Sequence, residues 1–192
     1  GVQSNPFKTI SRALEMINPT DQNPITINLA PGTYSSASGE SFPIPMISNV
    51  NLKGEDEENT IIDAGGEARV IVIDNCENNI ISNLTLKNGL ADGDSNRGGG
   101  IAMYFSSPII SNVIISDNEA FHGGGLALYT SNPILNHTII KDNVSTSYGG
   151  LILYTSNPIF NNVIISENSA AQFGGGLGII HSNPKLNNVT IT

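Results

Sequence analysis

The sequence predicts an all-β chain wound as a coil, with three parallel sheets around a narrow apolar core and about 25 residues per turn. Three observations predict it. One pattern is written four times: GGGIAMYFSSPIISNVIISDN from Gly98, GGGLALYTSNPILNHTIIKDN from Gly123, YGGLILYTSNPIFNNVIISEN from Tyr148 and GGGLGIIHSNPKLNNVTIT from Gly174. The starts lie 25, 25 and 26 residues apart, a period typical of stacked arrays. Each copy also holds three short β pieces with no helical spacing between them. Such pieces cannot pair as hairpins within one copy, but equivalent pieces of successive copies can pair in parallel, about 4.8 Å apart. Finally, columns of Gly and Asn separate the pieces, and these residues tolerate the positive φ of tight corners.

Residues 5–17, NPFKTISRALEMI, precede the coils and read as an amphipathic helix. Asn5 is a suitable N-cap, Pro6 suits the first turn, and Phe7, Ile10, Ala13, Leu14 and Ile17 share one face. A helix here would cover the end of the core, where a bare sheet end exposes unpaired N–H and C=O groups. A β run over Ile25–Tyr34 follows, with a Pro-Gly turn, then runs at Val50–Lys53, Thr60–Ile62, Val70–Ile73 and Ile80–Leu86. The acidic stretch GEDEEN, residues 54–59, reads as a solvated loop.

In the first piece of each repeat, Ile101/Met103, Leu126/Leu128, Leu151/Leu153 and Leu177/Ile179 are expected to point inward. In the second, Ile110, Leu135, Phe160 and Leu186 point inward, while Ile109, Ile134, Ile159 and Lys185 face out. Val113/Ile115, Thr138/Ile140, Val163/Ile165 and Val189/Ile191 form the inner columns of the third. Asn83, Asn112, Asn162 and Asn188 recur before that piece, with His137 standing in once. Asn118, Asn143 and Asn168 recur after it. Their amides can donate to the carbonyl of a neighbouring coil, which accounts for these columns without any function. Leu84-Thr85-Leu86 aligns with Val113-Ile114-Ile115 at an offset of 29, so the preceding coil carries four extra residues, placed in GLADGDSNR before Gly98. The domain expectation is one unit over 1–192, with the helix over 5–17, irregular coils over 25–97 and regular repeats over 98–192. A chain that starts at Gly1 without a leader and breaks off within the fourth repeat at Thr192 is expected to be an excised or mature segment of a longer protein.

Composition excludes several classes. A formal charge of −9, with no Lys/Arg cluster, argues against a nucleic-acid partner and leaves cations, glycans and protein surfaces. Cys76 is the single cysteine, so no intrachain disulfide can form. No apolar run approaches the roughly 18 residues of a membrane span.

GGGLALYTSNPILNHTIIKDN resembles the repeats of right-handed parallel β-helix proteins, the pectate-lyase-like bacterial surface proteins. PFKTISRALEMI, INLAPGTY and NTIIDAGG are similar to the capped N-terminal segment of the same proteins. Ile115, Asn118, Gly123 to Gly125 and Leu126 resemble the repeats of polymorphic outer-membrane adhesins, with Ile in place of their usual Phe. The resemblance implies a right-handed parallel β-helix and a bacterial, secreted or cell-surface setting. It does not select an activity, because the architecture hosts lyases, hydrolases, tailspikes and adhesins.

Three groups of residues are candidates for chemistry. Asp117, Asp142 and Glu167 share a repeat position, so their carboxylates stack about 4.8 Å apart. That spacing suits a glycosidase pair or a cation, and equally a row of solvated corner residues beside Lys141. Asp92, Asp94 and Asn96 alternate as oxygen ligands do in Ca²⁺ loops, yet Arg97 stands where an EF-hand needs Gly and Met103 where it needs Glu. A looser Ca²⁺ site or a polar loop both fit. Tyr104, Tyr129 and Tyr154 form a column expected to project outward beside Ala102, Ala127 and Ile152. Such rings can carry sugars, or simply stabilise the sheet by stacking. Lys53, Lys87, Arg69, Arg97, Lys141 and Lys185 fall in no lyase motif, and His122, His137 and His181 occupy different repeat positions and read as turn residues. Cys76 aligns with Phe105, Thr130, Thr155 and His181 and reads as packed.

The expected function is a non-catalytic extracellular stalk or adhesin that contacts glycans through the tyrosines. A polysaccharide lyase or glycoside hydrolase using the acidic column, and end-to-end self-assembly, stay open. No cofactor is required, and Ca²⁺ is the one ion the sequence suggests.

Overall fold

The structure, a computed structural model, describes residues 4–92 and 96–192. The chain is a right-handed parallel β-helix of about seven turns with one short helix near its N-terminus. Among the described residues, strands of successive turns pair in parallel into three sheets. Sheet A holds Ile25–Asn28, Val50–Lys53, Ile80–Lys87, Ile109–Ser116, Ile134–Lys141, Ile159–Ser166 and Lys185–Ile191, joined by Gly32–Ser35 and Thr60–Asp63. Sheet B holds Ile44–Pro45, Ile71–Asp74, Ile101–Tyr104, Leu126–Tyr129, Leu151–Tyr154 and Leu177–Ile180. Sheet C is short: Leu90–Ala91, Glu119–His122, Val144–Ser147 and Ser169–Ala170.

The register bears out the columns. Leu126 lies beside Ile101 and Leu151, and Leu135 beside Ile110 and Phe160. All six are fully buried, as are Met103, Leu128, Leu153, Ile115, Ile140 and Ile165. The expected four-residue insertion is also present. Ala91 pairs with Ala120 at an offset of 29, whereas Arg97 pairs with His122 at 25. The last turn has no strand on its far side among the described residues, so Ile179, Leu186 and Ile191 stay 48%, 43% and 46% exposed.

Two assignments change. The second and third pieces of each repeat are not separate sheets but one strand of seven or eight residues, bent at a left-handed residue: Asn83, Asn112, His137, Asn162 or Asn188, with φ of 56°, 52°, 49°, 55° and 53°. The bend shifts the alternation by one, so Ile110 and Val113 both face inward. The true third sheet is the Glu119–His122 stretch and its equivalents. Its inward residues are Ala91, Ala120 and Ser145, too small to mark the strand by hydropathy. The helix is also shorter than 5–17, spanning Ile10–Glu15, and its N-cap is Thr9, not Asn5. Thr9 Oγ1 accepts from the Arg12 N–H at 3.1 Å. The buried Glu40 carboxylate accepts from the Ile10 and Ser11 N–H groups at 2.6 and 3.0 Å, closing the helix start from another coil. Ile10, Ala13 and Leu14 lie against the first coils. No helix among the described residues is long and apolar enough to cross a membrane.

Asn118, Asn143 and Asn168 form the interior ladder the columns implied. Asn143 Oδ1 accepts from the Asn118 backbone N–H and amide at 3.1 and 2.9 Å, and the Asn143 amide donates to the Ile115 carbonyl at 3.0 Å. Asn168 repeats this one coil on, donating to the Ile140 carbonyl at 2.8 Å. Substituting Asn143 removes donors to a fully buried carbonyl. Asn143→Asp, which keeps the acceptor and loses the donor, is expected to cost about 2–4 kcal/mol in urea denaturation. An unchanged midpoint would show that the ladder does not hold the coils.

Candidate functional site

The outer face of sheet B follows from strand alternation. Ile101 and Met103 point inward, so Ala102 and Tyr104 point out, and the same holds one and two turns on. Tyr104, Tyr129 and Tyr154 stack as expected, with ring centroids 5.7 and 5.4 Å apart and planes within 28° and 24°. Tyr154 is 40% exposed. Asp74 precedes Tyr104 in the column.

The rest of the site comes from residues that the repeat pattern did not single out. Ala102, Ala127 and Ile152 face outward yet are buried, and a second set of rings stands at the neighbouring corner between sheets C and B. There Tyr148 stacks on Phe173 with centroids 4.9 Å apart and planes within 12°, and His122 lies 6.2 Å from Tyr148. Gly178 continues the Ala102–Ala127–Ile152 column, and a Cβ on it would come within 2.4 Å of the Tyr148 ring. Tyr148 itself stands where the other repeats have the first glycine of the triplet. It adopts the left-handed backbone of the first two, φ 60° against 62° at Gly98 and 60° at Gly123. A bulky side chain in that region costs about 1–3 kcal/mol, as it does at the Phe105, Thr130 and Thr155 corners of the same coil.

Arg97, delivered by the four-residue insertion, heads the same corner column and pairs with His122 one turn on. Its guanidinium lies 4.5 Å from the centroid of the Tyr129 ring, within cation–π range. Arg69, buried beneath the first ring, hydrogen bonds to Tyr104. Burial raises the Tyr129 phenol above its ordinary value, while Arg97 pulls the other way. The imidazole of His122 is held below its ordinary value by burial first and by Arg97 second. The sequence carried one signal for this corner: the position before each glycine triplet reads Arg97, His122 and Phe173. Reading the histidines as isolated turn residues hid it.

The acidic column lies at a different corner, between sheets A and C. Asp117, Asp142 and Glu167 all adopt the left-handed region, with φ of 57°, 55° and 56°, continuing Asn88 at 53°. Asp142 is engaged by Lys141 at 3.1 Å. The turn accounts for residue choice at this position, and among the described residues no hydrogen bond or ion pair joins it to the tyrosines. Asp117 and Glu119 line an open groove with Gly65, Gly66, Asn88, Gly89 and Leu90. Of the loop ligands, Asp94 lies outside the described residues. Asp92 is exposed, and the Asn96 carbonyl accepts from the His122 N–H at 3.0 Å. Among the described residues no three His, Cys, Asp or Glu side chains are grouped to hold a metal ion. Cys76 is buried, and burial raises its thiol above the ordinary value. It aligns with Ser106, not Phe105, because sheet B is offset by 30 between these turns and sheet A by 29.

His122 makes the corner sensitive to acid. A base whose protonation is penalised in the folded state stabilises the fold above its unfolded value, about 6.5, and loses that contribution as pH falls below it. The His122 ring is expected to titrate below 6.5 by NMR, and Arg97→Gln to move it upward. A midpoint at or above 6.5 would contradict the burial and charge argued here.

The model of a family described as "Protein of unknown function (DUF1565)" matches residues 1–187. No curated protein matches the chain significantly. In fold, the chain is similar to a pectin methylesterase point mutant in complex with a hexasaccharide, at 16% identity and a TM-score of 0.62. That match covers 93% of this chain and 56% of the other, so the chain spans little more than half the length of that structure. Pectin methylesterase PemA from Erwinia chrysanthemi aligns at 13% identity and a TM-score of 0.43, covering 91% of this chain and 66% of that one. A further pectin methylesterase in complex with a hexasaccharide aligns at 14% and 0.44, covering 93% and 66%. At these identities the likeness is one of fold.

Proposed function

We propose that this chain, which belongs to the DUF1565 family, is a glycan-binding β-helix module whose ligand lies along the tyrosine-bearing face of sheet B. The observation that carries the reading is the concentration of rings. Four of the five tyrosines stand on this face, in two stacks that flank a strip of buried small and aliphatic residues. Stacking stabilises the sheet, but it also leaves the Tyr154 ring 40% exposed although a further strand, Leu177–Ile180, pairs beyond it. Rings with one edge buried and a hydroxyl outward suit sugars, which offer apolar C–H faces and hydrogen-bonding groups together. The Tyr129 ring is already covered by Arg97, so sugar contact falls to Tyr154 and Phe173. The hexasaccharide bound to a pectin methylesterase of this fold supports a polysaccharide as the ligand class. A secreted or cell-surface setting belongs to the same proposal, as does a role as stalk or adhesin.

A polysaccharide-active enzyme is the second reading, favoured by that same likeness. Fold does not carry chemistry with it. Its candidate groups, Asp117, Asp142 and Glu167, sit at the other corner in left-handed turns. Affinity electrophoresis in gels containing pectin, alginate and neutral glucans separates the two. Retardation without product release, weakened about two- to tenfold by Tyr154→Ala, is the expected result. Product release lost in Asp142→Asn would replace the binding module with an enzyme.

A further inference from the structure

We infer that the glycan bound on this face carries an anionic group, a carboxylate or a sulfate, which is read by Arg97. The inference rests on the glycan reading above and names its ligand class. With a formal charge of −9, the molecule repels a polyanion over most of its surface. Its arginines are only Arg12, Arg69 and Arg97, and Arg12 is engaged by Glu15 at 2.9 Å on the capping helix. The other two are both on the tyrosine face, close enough that their charges oppose each other.

Arg97 is the accessible one. It is half-buried, and among the described residues no carboxylate pairs with it. The Tyr129 ring beneath holds the guanidinium in place, and a ring contact satisfies none of its N–H groups. Among the described residues its Nε is buried without a hydrogen-bond partner. The same is true of Nδ1 of His122, the residue paired with Arg97 on the next turn. Two unpartnered nitrogens at one repeat position in adjacent turns mark a polar spot that the fold leaves unmet. A guanidinium meets a carboxylate or sulfate with paired N–H groups, so a modest rotation of Arg97 would satisfy Nε and offset the repulsion from Arg69. At the other end of the stack stands Asp74, whose carboxylate accepts from the Asn75 amide at 2.8 Å. Its charge directs an anion away from Tyr104 and towards Tyr129 and Tyr154.

Calorimetry with two matched pairs tests this. One pair is a galacturonate hexasaccharide and its fully methyl-esterified form. The other is a carrageenan hexasaccharide and its desulfated form. The charged member of at least one pair is expected to bind roughly ten- to a hundredfold tighter than its neutral twin at low salt. That preference should collapse in Arg97→Gln and return in part in Arg97→Lys, both with wild-type melting temperatures. The pair that responds tells carboxylate from sulfate. Equal binding of both twins in both pairs would overturn the inference and leave glycan binding standing. Binding of none of the four would overturn both readings.

Discussion

Everything in this fold depends on residues one turn apart lying beside one another, and the asparagine ladder makes that register obligatory. Asn143 is fully buried and bonded to the turn before and the turn after. A one-residue slip would turn the inward column outward and leave buried amides and carbonyls unmet together. The ladder also explains the glycine triplets. A Cβ on Gly125 would sit 2.9 Å from the Asn143 amide nitrogen and 2.8 Å from the Gly150 carbonyl, so the third glycine is the space the ladder needs.

The corners impose the second constraint. Each turn passes through left-handed positions, and the same backbone is required of whatever residue occupies them. Asn and Asp meet it at least cost, through local hydrogen bonds of their own side chains. This is why a column of carboxylates can arise with no catalytic purpose. Asp117 and Asp142 sit where Asn88 sits one turn earlier, and Glu167 follows them with the same φ. A repeat multiplies any residue suited to one corner, so proximity of like groups along the axis carries less information here than in an irregular fold.

Those two constraints decide what was legible in the amino-acid order. Sheets A and B announced themselves because their inward residues are large and alternate. Val50–Lys53 is found with its expected limits, and the 29-residue offset of Leu84 to Val113 is the observed register. Sheet C was silent, since its inward residues Ala120 and Ser145 are small and carry little hydropathy signal. The bend within the long strands is visible as an asparagine column but reads as a boundary, because a left-handed residue usually ends a strand. At the site, the Tyr104–Tyr129–Tyr154 column was readable from spacing alone. Its neighbours Arg97, His122, Tyr148 and Phe173 are four different residue types on one corner, and column reading recognises only sameness.

Difference is therefore the more useful signal in a chain of this kind. A turn is satisfied structurally by the triplet glycine, an aliphatic side chain at the Ala102 position and a 25-residue length. Within a few turns this chain departs from all three: Tyr148 replaces a glycine at a backbone cost, Gly178 replaces a larger residue beneath its ring, and four extra residues bring Arg97 over Tyr129. Independent departures would scatter around the prism. These converge on one face, and each makes sense only with another: the ring needs the glycine below it, and the guanidinium needs a ring to lie on. Stability alone would have kept the repeat, so the convergence is the strongest argument that this face meets something outside the chain.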